Sequence, residues 1–235
     1  MPHAGLLRAQ RDLAALANPA DAAFLQRYFK TGPGEYGAGD IFLGIRVPTL
    51  RQLARRHAGL PLAAVLRLLK SKYHEDRLLA LLLLVRRFER GDAAEQERVF
   101  RAYLRHTRHI NNWDLVDLSA PNIVGAWTAA HDTAVLDRLV RSPLLWERRI
   151  AIVATAALIR QKRYVTTLML SRRLLADRED LLHKAAGWML REVGKRNKRA
   201  LTAFLDRHAA VMPRTMLRYA IERFPEKERQ EYLNQ

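Results

Sequence analysis

The sequence predicts an all-α fold, a curved superhelix of stacked helix pairs, and three features lead there. Apolar and polar residues nowhere alternate in a sustained run bounded by turns, so strand signals are nearly absent. Apolar residues recur instead at helical spacing along the whole chain. A loose repeat is superimposed on that spacing: "EDRLLALLLL" from Glu75, "WERRIAIVAT" from Trp146, "LHKAAGWMLR" from Leu182 and "PRTMLRYAIE" from Pro213. Arg77 to Trp113 is 36 residues, Arg149 to Lys184 is 35 and Lys184 to Arg214 is 30. That is the period of helical-repeat solenoids, in which each helix pair buries its apolar side against its neighbours and the array presents a concave face. At 235 residues the chain is long enough for one sizeable core, and a single domain over 1–235 is expected.

In order, the spacing predicts helices at Leu6–Ala17, Ala20–Lys30, Pro48–His57, Leu62–Lys70, Glu75–Glu89, Ala93–His106 and Trp113–Ser119. Seven more follow at Asn122–Ala130, Thr133–Val140, Trp146–Arg160, Tyr164–Leu175, Asp180–Lys195, Lys198–His208 and Thr215–Arg223. Pro48, Pro61, Pro121, Pro143, Pro213 and Pro225 sit at or beside these boundaries, where a fixed φ and a missing N–H do least harm. The longest greasy run, "LLALLLLV" at Leu78–Val85, is far short of the roughly 20 residues that span a bilayer and reads as a buried helix face. The N-terminus has no uninterrupted apolar region, so a signal peptide is not expected. The absence of cysteine excludes disulfide and thiolate chemistry and fits a reducing cytoplasm.

Charge is the strongest clue among the totals. There are 41 Lys and Arg against 24 Asp and Glu, a formal net charge of +17. Genomic bias explains 33 arginines beside 8 lysines, but not the shortage of acids. A surplus of this size attracts polyanions in a salt-dependent way and favours a nucleic-acid partner over a membrane surface. On the helix from Asp180, the residues Lys184, Trp188, Arg191 and Lys195 fall at i, i+4, i+7 and i+11 and share one face. Either this is a basic stripe carrying a tryptophan toward a partner, or Trp188 packs inward with basic residues flanking it. Lys162, Arg163, Arg172 and Arg173 read mostly as plain surface charge.

Two apparent motifs carry no chemistry. Gly32, Gly34 and Gly37 match G-x-G-x-x-G, but the dinucleotide fingerprint needs a strand before it and a helix opening within it, whereas "TGPGEYGAGD" follows a helical stretch and leads into "DIFLGI". His106 and His109 with Asp114 nearby are better read as surface or capping residues than as metal ligands, so no metal is expected.

"INNWDLVDLSAP", Ile110–Pro121, places two aspartates beside a tryptophan in a strongly basic chain. If Trp113 opens a helix, Asp117 lies one turn on and on the same face, while Asp114 points elsewhere. Taken alone, both aspartates complement the positive end of the helix dipole. The case changes because Trp113, Trp146 and Trp188 all lie at the starts or first turns of repeat-defining helices, with Arg149 three residues after Trp146. A basic surface carrying tryptophans and one carboxylate suits a cationic substrate held against DNA, since the rings attract one positive charge and the carboxylate stabilises a second. An alkylated purine is such a substrate. It leaves as a neutral base, so one carboxylate suffices where glycoside hydrolysis uses two.

The chain resembles the AlkD-type DNA glycosylase family of alkylation repair enzymes, built from HEAT-like helical repeats. The marks are "FLGIRVPTLRQLAR" from Phe42, "NNWDLVDLSAP" from Asn111, "WERRIAIV" from Trp146 and "KAAGWMLREVGK" from Lys184, within a likeness running from about Tyr28 to Arg223. The resemblance implies that Asp117 is the catalytic carboxylate and that Trp113 and Trp188 form an aromatic cleft around the lesion. Arg149 and Arg191 would contact the DNA, with Lys184, Lys195, Arg46 and Tyr28 also on the DNA-binding surface. It further implies excision of cationic N3- and N7-alkylpurines without a cofactor, by a monomer with no obligate protein partner in the nucleoid of a bacterial cytoplasm. Two departures stand out: Asn112 replaces one member of an aromatic pair found in the family, and Arg46 takes a place where neutral polar residues also occur. Relatives that bind DNA without cutting it define an alternative, a non-catalytic clamp on damaged or branched DNA. A helical scaffold for acidic proteins is a third, though it leaves the Trp and Asp positions without purpose.

Overall fold

The computed structural model describes residues 2–235, and among them it is all-helical. Sixteen α-helices alternate with short 3-10 and π turns, and the extended contact is an isolated parallel bridge between Ile41 and Tyr73. Contacts divide the chain into two compact units, residues up to Ser119 and residues from Ala120 onward.

The first unit holds α1 (Pro2–Ala15), α2 (Pro19–Tyr28), α3 (Val47–Arg56), α4 (Leu62–Leu68), α5 (His74–Arg90), α6 (Ala93–Arg105) and α7 (Trp113–Ser119). Asn18 caps α2, its side chain accepting from the N–H groups of Ala20 and Asp21 at 3.0 and 3.2 Å. Asp92 does the same for α6, accepting from the Glu95 N–H at 2.8 Å. The greasy run expected to be a buried face is the centre of the unit: α5 packs against α3, α4, α6 and α7, and Leu78, Leu79, Leu81, Leu83 and Leu84 are all buried. A helix apolar on nearly every side has no solvent face to offer, which is why it is surrounded.

The second unit holds α8 (Ala126–Ala130), α9 (Ala134–Leu139), α10 (Leu145–Ala154), α11 (Ala156–Arg160), α12 (Val165–Arg173), α13 (Asp180–Gly194), α14 (Lys198–His208), α15 (Arg214–Ala220) and α16 (Glu226–Leu233). Here α13 is the central helix, packed on α10, α12, α14 and α15. A Cβ at Gly187 would stand 2.5 Å from the Met216 carbonyl oxygen and 2.6 Å from Tyr219 Cβ. Only glycine lets α13 and α15 approach this closely.

Two expected elements differ, and one helix is unexpected. The segment Asn122–Ala130 opens with a π turn over Pro121–Gly125, closed by the Gly125 N–H donating to the Ala120 carbonyl at 2.8 Å. At Gly125 a Cβ would lie 2.3 Å from the Ala154 carbonyl oxygen, so the wide turn sits where the chain is pressed against α10. The long helix expected from Trp146 to Arg160 divides at Thr155, whose hydroxyl donates back to the Ile152 carbonyl at 2.6 Å, the local bond by which threonine competes with helix continuation. Finally, α16 follows Pro225 where no helix is expected; "EKERQEYL" buries none of its residues and so carries no apolar periodicity.

Candidate functional site

In the first unit the candidate residues gather around α7, which runs over Trp113–Ser119 as expected. Trp113 and Asp117, four residues apart and both half-buried, share a face of this helix. Tyr28 ends α2, is 56% exposed, and meets Trp113 edge-on at 6.1 Å between ring centroids. Phe29, buried beneath it, stacks on Trp113 at 5.0 Å and 19°. Phe29 also stacks on Phe42 at 5.0 Å, and Phe42 stacks on the His74 imidazole at 4.3 Å. A cavity of about 270 Å³ opens among Phe24, Tyr28, Phe29, Phe42, His74 and Asp114. Ring faces carry negative electrostatic potential, so the exposed Tyr28 ring at the rim offers a cation a favourable seat.

Arg46 stands at the start of α3 beside the same cavity, and its guanidinium lies 5.8 Å above the Phe24 ring. It pairs with Asp21, which raises its already high pKa further and keeps it charged. Asp117 adds its negative charge to the environment of Tyr103, whose hydroxyl burial pushes well above the ordinary value.

Asp114 has a different place from Asp117, as its position in the helix predicts. It is buried, and its Oδ2 accepts from His74 Nε2 at 2.8 Å. On the other side of the ring, Nδ1 donates to Asp40 Oδ2 at 3.0 Å. Two carboxylate partners require both ring nitrogens to carry protons, so His74 is an imidazolium. Burial pulls its pKa down, but Asp114 and then Asp40 outweigh that and raise it to about 9. Asp40 is a hub: Arg77 donates to it at 2.6 Å, Asn111 at 3.1 Å and Asn112 at 3.4 Å. Burial alone would raise the Asp40 carboxyl, and these donors, His74 foremost, bring it below the ordinary value instead.

The "TGPGEYGAGD" loop therefore works through Asp40, as a series of turns and not as a nucleotide cradle. Gly37 lets it close: a Cβ there would be 2.5 Å from the Phe29 carbonyl oxygen and 3.3 Å from Asn112 Nδ2. Next along the loop, Glu75 accepts from the Leu43, Gly44 and Ile45 N–H groups at 2.8, 2.8 and 3.1 Å. The departure at Asn112 also has a local account. The residue is fully buried, and its Oδ1 accepts from the Trp113 N–H at 2.8 Å, fixing the entry to α7.

The second unit carries the remaining candidates on α10 and α13. Arg149 is buried, 5% exposed, and donates to the Leu181 carbonyl at 2.6 Å. On α13, Trp188 is half-buried, neither enclosed in the core nor standing free, and it has no ring partner among the described residues. Around it, Lys184 pairs with Asp180 at 2.8 Å, Arg191 with Glu222, and Lys195 with Glu192 at 2.6 Å. The basic stripe is thus interleaved with acids. Lys195 and Arg196 hold the Glu192 carboxyl below the ordinary value against the upward push of burial.

Sequence reasoning missed His74, Asp40 and Arg77. One signal for them existed: "HEDR" places four consecutive ionisable residues at the mouth of the greasiest helix, and all four are buried at 4% exposure or less. Four such residues can be buried together only when each is paired or hydrogen-bonded. Among the described residues no group of His, Cys, Asp and Glu is arranged to hold a metal ion, and no helix is long and apolar enough to cross a membrane.

No curated protein matches the chain in sequence. A solved structure of a predicted DNA alkylation repair enzyme from Enterococcus faecalis has the same fold, with a TM-score of 0.69 over 89% of this chain and 97% of that one, at 19% identity. The family model for DNA alkylation repair enzymes matches residues 9–224, nearly the whole chain and every candidate residue. The chain therefore belongs to the DNA alkylation repair enzyme family.

Proposed function

We propose that this protein is a monofunctional DNA glycosylase that removes cationic N3- and N7-alkylated purines from duplex DNA and leaves an abasic site. One observation carries the reading: on α7, a carboxylate, Asp117, shares a face with a tryptophan whose ring belongs to an aromatic wall. Membership of the repair family and a net charge of +17 support it by supplying the substrate class and the field that attracts it.

The chemistry asks little of the protein. An alkylated purine already holds a positive charge, so when the C1′–N9 bond breaks its electron pair neutralises the base, which leaves without prior protonation. The sugar is left with oxocarbenium character at C1′. Asp117 stabilises that charge, and water adds at C1′ while its proton passes to the carboxylate or to solvent. Trp113 and Tyr28 hold the cationic base by cation–π contact, and Trp188 is the aromatic residue that the second unit offers to the DNA. Arg46, Lys184, Arg191 and Lys195 contact the phosphate backbone. The substrate is duplex DNA, and the enzyme works as a monomer without a cofactor.

The test is abasic-site formation in a duplex carrying a single N7-methylguanine. Asp117→Asn removes charge at nearly constant shape, so it is expected to bind this duplex as wild type does and to form abasic sites at least 100-fold more slowly, a loss of roughly 3 kcal/mol of transition-state stabilisation. Equal rates would remove Asp117 from the chemistry, and DNA binding without base loss by wild type would assign the chain to the non-catalytic clamps.

A further inference from the structure

The helix that carries Asp117 is too short to hold itself. With seven residues, α7 is far below the length at which a helix is stable alone, so its axis is set by what grips it. Its side chains and approach are held by one buried network. Asp114 is gripped by His74 from α5, while Asn111 and Asn112, just before the helix, both donate to Asp40 in the loop between α2 and α3. His74 and Arg77 complete the circuit by donating to Asp40 themselves. Within this network the Asp40 and Asp114 carboxylates pair with His74 and Arg77. Each charge is paired, the condition under which a buried ionic cluster persists.

We propose that Asp40, His74 and Asp114 are positioning residues for base release, a buried brace that fixes α7 and with it the Asp117 carboxylate and the Trp113 ring. The proposal rests on the glycosylase reading above. None of the three touches the reacting atoms. A grip that served only folding could be apolar, since well-packed hydrophobic residues hold a helix at least as firmly as a buried ion pair. Hydrogen bonds with fixed donors and acceptors add a single allowed geometry, and they converge here on Asn111, Asn112 and Asp114, the entry to the helix that carries Asp117 one turn on. A carboxylate that stabilises a developing charge depends steeply on its placement, and a shift of about 1 Å costs about 100-fold in rate.

The experiment compares wild type, Asp114→Asn and Asn111→Ala, with His74→Gln as the severe case. Each is assayed for single-turnover base release at saturating enzyme, for duplex affinity, and for folding by circular dichroism. Asp114→Asn keeps an acceptor for His74 but loses the ionic grip. It is expected to release base about 10- to 100-fold more slowly with duplex affinity unchanged, since Asp117 and the basic residues remain. Asn111→Ala takes one donor from Asp40 without stranding a charge, and a fall of about 3- to 10-fold is expected. If both variants are folded and release base at the wild-type rate, the network is structural only and the proposal is overturned. Equal losses in affinity and rate would overturn it too, because a positioning role moves the rate alone. If wild type itself releases no base, the glycosylase reading fails first, which separates the two failures.

Discussion

Raising the pH should dismantle the His74 site, and its effect can be worked out from the structure. The imidazolium lies between Asp114 and Asp40, with Arg77 also on Asp40, Glu75 engaged by three backbone N–H groups and Asp76 by the Ser71 hydroxyl. Its pKa rises from 6.5 to about 9 in the fold. Because the folded value exceeds the unfolded one, the folded chain holds the extra proton over this interval. The stabilisation is complete below about pH 6.5 and is lost as pH rises through about 9. From 6.5 to about 9, at about 1.36 kcal/mol per pH unit, the site contributes about 3 kcal/mol.

The assay is urea denaturation of wild type and His74→Gln at a series of pH values, because the difference between them cancels titrations elsewhere. The wild-type advantage should shrink by about 3 kcal/mol between about pH 6 and about pH 10. Tyr232, pushed up to about 12, and Tyr103, pushed higher by burial, stay neutral in the fold across this range and weaken it only beyond. An advantage that stayed constant, or grew, with rising pH would refute the doubly bonded imidazolium.

Three further outcomes follow from other parts of the molecule. Glu75→Gln keeps an oxygen for two backbone N–H groups but turns an amide N–H₂ toward the third, so it should cost about 2–4 kcal/mol by denaturant unfolding, and an unchanged midpoint would contradict the bonding found here. Gly187→Ala forces a Cβ against the Met216 carbonyl and should destabilise by about 1–3 kcal/mol despite the better helix propensity of alanine, read as a fall of several degrees in Tm; a rise would show that α13 and α15 separate freely. If Lys195 meets a phosphate, Lys195→Ala should lower the slope of log affinity against log salt for duplex DNA by about one, and an unchanged slope would remove it from the interface.

Much of this architecture is legible in the sequence, because local rules set it. Helical spacing and boundary prolines place the helices, and α7 and α14 have the expected ends. What is not legible depends on close approach between distant segments. The π turn at Gly125 is imposed by α10, some 30 residues away in sequence, and nothing local announces it. The same holds for the site. The i, i+4 relation puts Trp113 and Asp117 on one face and turns Asp114 from them, and the structure agrees on α7. What Asp114 turns toward needs Asp40 and His74, 74 and 40 residues before it, and only the fold brings those three together. Arg149 teaches the converse: an arginine in a family pattern can be buried and bonded to its own backbone while its motif points to DNA.

The most direct test of the central claim is chromatographic detection of free bases released from methylated duplex DNA, with wild type and Asp117→Asn in the same run. Release of 3-methyladenine and 7-methylguanine by wild type and not by Asp117→Asn is the predicted result. Duplex bound by both proteins with no base released by either would contradict it.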